Sequence, residues 1–234
     1  MNLGRVFDLG SNLDAGREAL SLLRTRGSLL LAMTWRDLTD RYAGQVLGTT
    51  WAVLSPLLMM ATYLMAFGLI FRGRLGVTDD GTGYLAFMLA GLVPWMAMQD
   101  CLSRAPTAIT GQASLVKQIV FPSEILPLRV ALSSLPVLAI GLAVTIPIVI
   151  FSGSWHLFGL TVLLPIAIIC YILFTAGVTL WLAAIGVFAR DIKDLVTFLL
   201  GIGLFLHPVL YPTASVPVWL NPWFVISPFS HVIW

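Results

Sequence analysis

Few residues in this chain are of a type that could do covalent chemistry, and their spacing narrows the field further. The three histidines, His156, His207 and His231, are far apart, and none belongs to an HExxH pattern or has a carboxylate partner in sequence. Cys101 and Cys170 form no CxxC and lie in separate apolar segments, so they read as small apolar fillers and imply neither a metal site nor a disulfide framework. A phosphate loop needs a glycine-rich turn followed by Lys and Ser/Thr, and neither of the two lysines, Lys117 and Lys193, stands in that setting. Any ATP hydrolysis must then come from another chain. Asp100 is the one carboxylate inside a long apolar stretch; a residue so placed is functional by default, or else faces water or pairs with Arg104 four positions on.

The elements that must position these residues follow from how scarce charge is. Of 234 residues 59% are hydrophobic and only 10% charged, against about a quarter in soluble domains. Residues 130–189 contain no charge, and neither do residues 195–234. The net charge of +2 is too small for a nucleic-acid surface. A membrane-crossing helix needs about 20 apolar residues. The sequence therefore predicts an all-α polytopic membrane protein: a cytoplasmic arm over residues 1–50, then a transmembrane domain over residues 51–234. Spans are expected at about 51–71, 84–102, 130–151, 160–188 and 195–211, the third and fourth separated by Ser152-Gly153-Ser154. The second is short and contains Pro94.

Beyond the fifth span Pro212, Pro217, Pro222 and Pro228 interrupt any helix. Residues 217–234 read as a re-entrant pair of half-helices, the alternative being an interfacial loop anchored by Trp219, Trp223 and Trp234. Residues 1–28 show no secretory signal. Eleven Lys and Arg fall in the N-terminal arm and on alternate loops, against Arg72 and Arg74 on the others, which puts the N-terminus in the cytoplasm. A sixth span returning to that side is expected beyond Trp234.

Two cytoplasmic segments are patterned for a surface. Leu31, Trp35, Leu38 and Tyr42 share one helical face, with Arg36, Asp37, Asp40 and Arg41 off it, as in a helix lying in the membrane interface. Such a helix either only anchors the first span or also offers its polar face to a soluble partner. In the loop between the second and third spans, residues 108–120 can form a short amphipathic helix ended by Phe121-Pro122, leaving Phe121 exposed near Lys117 and Glu124.

Five motifs in order give a family resemblance. Arg36-Asp37-Leu38 with Arg41-Tyr42, Leu47-Gly48, Trp51 and Pro56 resembles the entry to the first span of type-2 ABC transporter permeases of the polysaccharide export group, which handle O-antigen, capsule and teichoic acid. Phe121-Pro122-Ser123-Glu124-Ile125-Leu126-Pro127 is similar to the segment after that family's coupling helix, and Phe188-Ala189-Arg190-Asp191 to its arginine-aspartate turn. His207-Pro208-Val209-Leu210-Tyr211 and Asn221-Pro222 complete the series. Gln45 and His207 depart from the pattern, which has small hydroxyl residues there.

The resemblance implies a multi-pass permease in a bacterial cytoplasmic (inner) membrane. It would be a homodimer working with two copies of a separate ABC ATPase, which would supply ATP and Mg. The cargo would be a polysaccharide or lipid-linked glycan; a drug or small-lipid permease is the alternative. Arg36, Asp37, Arg41, Lys117, Phe121 and Glu124 would meet the ATPase. Tyr63, Trp95, Trp181, Phe205 and Tyr211 would line the glycan path with ring faces, where packing between helices is the competing explanation. A membrane-embedded enzyme of lipid-linked sugar metabolism would need paired carboxylates, a nucleophile with its base, or a metal site, and the residue inventory offers none of these.

Overall fold

The computed structural model describes residues 9–70, 82–114, 122–151, 153, 159–207, 209 and 210. Every regular element among them is helical. We number the α-helices α1 (Leu9–Arg41), α2 (Trp51–Tyr63), α3 (Thr82–Arg104), α4 (Ile125–Ser133), α5 (Leu135–Phe151), α6 (Leu164–Phe188) and α7 (Ile192–Leu206). Gly44 and Gly48 adopt φ of +78° and +50°, values that residues with a Cβ avoid, and carry the chain from α1 into α2. α2 continues as a π-helical segment, Leu64–Ile70, and another, Gly159–Leu163, leads into α6.

Among the described residues, four stretches are long and apolar enough to cross a membrane: Gly48–Gly68, Tyr84–Thr107, Ile125–Phe151 and Gly159–Phe188. They match the first four expected spans with shifted ends. Pro94 does not shorten the second, which runs past residue 102 to Thr107. The third starts at Ile125 instead of residue 130 and is jointed: α4 ends at Ser133 and α5 starts at Leu135. Ser133 and Ser134 donate to the carbonyls of Val130 and Ala131, so the joint satisfies its own backbone. The described part of the expected fifth span is α7, whose 15 residues reach about 22 Å, less than the hydrocarbon thickness of about 30 Å. Tyr211 and the re-entrant stretch, residues 217–234, lie outside the described residues.

α3 is the central post. It packs against α5, α6 and α7, α2 lies on α5, and α1 lies on α4. Met88, Leu89, Leu92, Val93 and Met98, all on α3, form the middle of the main core. The α3 span is 61% buried, whereas Gly159–Phe188 is 11% buried and leaves apolar side chains such as Leu173 and Trp181 facing outward. Backbones approach where side chains are small: a Cβ on Gly141 of α5 would collide with Val93, as expected for helices packed by shape.

The loop after α3 corrects one expectation. Ala105–Thr107 and Thr110–Gln112 form separate 3-10 turns, so no continuous α-helix begins at Ala108. Ala105, Pro106 and Ala108 are buried, and the Pro106 carbonyl sits so tightly on Gly186 of α6 that a Cβ there would collide with it. Ala113 and Ser114 are α-helical, and the remainder of the expected helix, residues 115–120 with Lys117, lies outside the described residues, as does Phe121 after it.

Candidate functional site

Three helices each bring a pair of polar residues four positions apart to one place. Asp37 and Arg41 close α1, Asp100 and Arg104 close α3, and Arg129 and Ser133 share a face of α4. Residues at i and i+4 stand one above the other on a helix, so each pair offers two groups to the same neighbour. Arg41 Nη1 reaches both oxygens of Asp100, at 3.3 and 3.2 Å, and its Nη2 is 3.3 Å from Asp37. Arg104 donates from Nη2 to Asp100 at 2.6 Å and from Nη1 to Asp37 at 3.1 Å. Ser133 Oγ accepts from Arg41 at 2.6 Å and from Arg104 at 3.1 Å. Arg129 comes no closer than 3.9 Å to Asp37.

This junction is sheltered but not sealed. The side chains of Arg129, Asp37, Arg41, Arg104 and Asp100 are between 12% and 30% exposed. Burial pushes the Asp37 carboxyl up, but Ser133 and the guanidiniums of Arg104, Arg41 and Arg129 outweigh it and hold the group below the usual 3.8. Two carboxylates face three guanidiniums, so the junction carries net positive charge. The buried Nε atoms of Arg41 and Arg129 have no hydrogen-bond partner among the described residues.

The polar face of α1 is the one that meets the rest of the described chain. Leu30 and Thr34 are buried and Asp37 and Arg41 turn toward α3 and α4, while Leu31 and Trp35 are 66% and 70% exposed. Arg36 faces outward and pairs with Asp40 in an exposed contact of 3.4 Å. Glu124, at the start of α4, is exposed. Of the six residues expected at a motor surface, the structure brings Asp37 and Arg41 into one cluster and leaves Arg36 and Glu124 outside it. Asp100 pairs with Arg104, the simpler of its two readings, and also with Arg41, a partner 59 positions away. Arg129 and Ser133 were not singled out by sequence; the repeated i,i+4 polar pairs were the available signal.

The described members of the expected aromatic path, Tyr63, Trp95, Trp181 and Phe205, differ in exposure. Trp95 is 2% exposed, packed against Gly203 of α7 and 5.3 Å from the His207 ring, with its Nε1 buried and without a partner among the described residues. Tyr63 is partly buried and stacks on Phe67, while Trp181 and Phe205 are 70% and 61% exposed. Near Trp95, His207 Nδ1 donates to the Gly203 carbonyl at 2.8 Å, and the Tyr84 hydroxyl donates to the Leu210 carbonyl at 2.9 Å. The Tyr84 contact fastens the start of α3 to the segment that follows α7.

Residues 28–233 match the ABC-2 type transporter family. The O-antigen export system permease protein RfbA of Myxococcus xanthus is 31% identical over 195 residues, covering 83% of this chain and 72% of that protein. The protein of the same name from Klebsiella pneumoniae is 26% identical over 88% of this chain and 77% of its own length. The polysialic acid transport protein KpsM of Escherichia coli is 23% identical over 86% and 77%, respectively.

Proposed function

Because the chain belongs to the ABC-2 type transporter family, we propose that it is the membrane-spanning permease subunit of an ATP-driven exporter that moves a polysaccharide or lipid-linked glycan across the bacterial cytoplasmic membrane. The observation that carries the cargo is the 31% identity, over 83% of the chain, to a permease named for O-antigen export. Two copies of the permease pair with two copies of a separate ATPase, which binds ATP and Mg. The chain itself contributes no phosphate loop around Lys117 or Lys193. The N-terminus is cytoplasmic, on the side that holds eleven of the thirteen Lys and Arg.

In this reading α1 lies in the interface with Leu31 and Trp35 toward lipid, and the junction of Asp37, Arg41, Asp100, Arg104 and Ser133 receives the motor's movement. Lys117, Phe121, Arg36 and Glu124 meet the ATPase from outside the junction. Movement of the loop after α3 reaches α6 through the contact between Pro106 and Gly186. Coupling of this kind needs a tight mechanical path, because packed interfaces switch between discrete arrangements.

The test is co-purification together with export in cells. Phe121→Asp is expected to abolish both ATPase retention and surface polysaccharide while the permease stays in the membrane. Normal ATPase retention by that variant would remove Phe121 from the motor surface. A permease that supports drug efflux but no surface polysaccharide when paired with its ATPase would replace the glycan reading with the drug or small-lipid one.

A further inference from the structure

Arg129 is a sheltered charge that, among the described residues, makes no hydrogen bond to a carboxylate. Its side chain is only 12% exposed, its Nε is buried without a partner, and its contact with Asp37 at 3.9 Å exceeds hydrogen-bond length. Asp37 and Asp100 are already engaged by Arg41 and Arg104, which leaves one guanidinium in excess. A charge so far removed from water is costly unless an opposite charge meets it. Position indicates which anion. Arg104 lies three residues inside the end of the span Tyr84–Thr107, and Arg129 four residues inside the start of Ile125–Phe151. At 1.5 Å per residue both lie about 5 Å from the ends of apolar helices, the level of lipid headgroups, and basic pockets between spans at that level hold headgroup phosphates. The planar guanidinium fork matches two phosphate oxygens, and Arg104 and Arg129 approach the two oxygens of the same Asp37 carboxylate.

We propose that Arg129, with Arg104 beside it, seats a phosphate-ester anion on a membrane lipid, so that a headgroup completes the junction between α1, α3 and α4. The shared chemistry is the phosphate ester; the source is either a bilayer phospholipid or a polyprenyl phosphate. The inference rests on reading these helices as membrane spans and does not need the lipid to be the cargo's, so its failure would leave the exporter reading untouched.

The test titrates the purified protein, in a neutral sugar detergent, with phosphatidylglycerol, with a polyprenyl monophosphate and with diacylglycerol, which lacks phosphate. Binding is read by native mass spectrometry and by the thermal unfolding midpoint from tryptophan fluorescence. Both phosphate lipids are expected to bind and raise the midpoint, diacylglycerol to do neither, and competition between the two phosphates to identify the source. Arg129→Gln is expected to bind about tenfold more weakly, the size of one lost charge-assisted hydrogen bond. Arg129→Lys, which keeps the charge without the fork, should fall between the two, and Arg190→Gln, an exposed charge in the turn before α7, should match the wild type. Equal binding of diacylglycerol and phosphatidylglycerol by the wild type overturns the proposal, as does unweakened binding by Arg129→Gln. If Arg129→Gln does not fold, the wild-type comparison and Arg129→Lys still decide.

Discussion

The two ends of α3 are held by opposite means. From Tyr84 to Trp95 the helix is fixed by shape: Trp95 lies on Gly203, Val93 meets Gly141, and one hydroxyl fastens it to Leu210. At Asp100 and Arg104 it is fixed by charge, through two carboxylates shared among guanidiniums from three helices. Close packing in lipid depends on contact and is indifferent to salt, whereas a partly exposed ion network responds to ions, to pH and to anything charged that approaches it. One helix thus joins a stiff end to a responsive one, an arrangement suited to a helix that receives a movement at one end and passes it on.

The contrast can be broken most strongly at the charged end. Asp100→Ala leaves Arg41 and Arg104 short of their shared partner and is expected to cost about 3 kcal/mol, the lower part of the range for breaking a buried pair because the site is partly wet. Denaturant unfolding in micelles would show it, with the loss shrinking in high salt. Trp95→Ala tests the shape end and is expected to cost about 3 kcal/mol through the cavity it leaves, with no dependence on salt. A salt-dependent loss at Trp95 would erase the distinction between the ends. Gly186→Val forces the Pro106 carbonyl away from α6 at about 1–2 kcal/mol, and it should reduce export per ATP hydrolysed more than it reduces stability.

The smallest effect is that of pH. Because the folded Asp37 carboxyl sits below its ordinary 3.8, its contribution is complete above that value and is lost as pH falls through the lower folded one. The stability difference between the wild type and Asp37→Asn should therefore not vary with pH between about pH 5 and about pH 7. The wild type alone should lose this contribution below about pH 4.

How much of this the sequence revealed depended on whether the informative contact was local. Four spans were legible because length and apolarity suffice to define them. The pairing of Asp100 with Arg104 was legible at four residues' separation, but that of Arg41 with Asp100 was not, since nothing in a single sequence connects positions 59 apart. What the polar face of α1 meets was not legible for a physical reason. Amphipathic patterning points apolar residues at whatever apolar phase is nearest, and around a membrane that phase can be lipid, which leaves Asp37 and Arg41 to face the protein. Pro94 suggested a shortened helix, yet α3 continues through it inside a packed bundle, with the Tyr171 hydroxyl donating to the Pro94 carbonyl at 3.2 Å. The proposed glycan-facing aromatics were not legible as a group, because ring type alone does not say whether a ring meets a glycine, a lipid or a passing sugar.

The break at Ser134 makes α4 a short lever. Its nine residues span about 13 Å, and the joint lets them tilt without dragging α5 through the same angle. A tilt of about 10° would carry Ile125 through about 2 Å, and Arg129, nearer the pivot, through about half of that. The hydrogen bonds at Ser133 would shift less still. A rotation at the lever's free tip would thus be geared down before it reached the charges, trading distance for force.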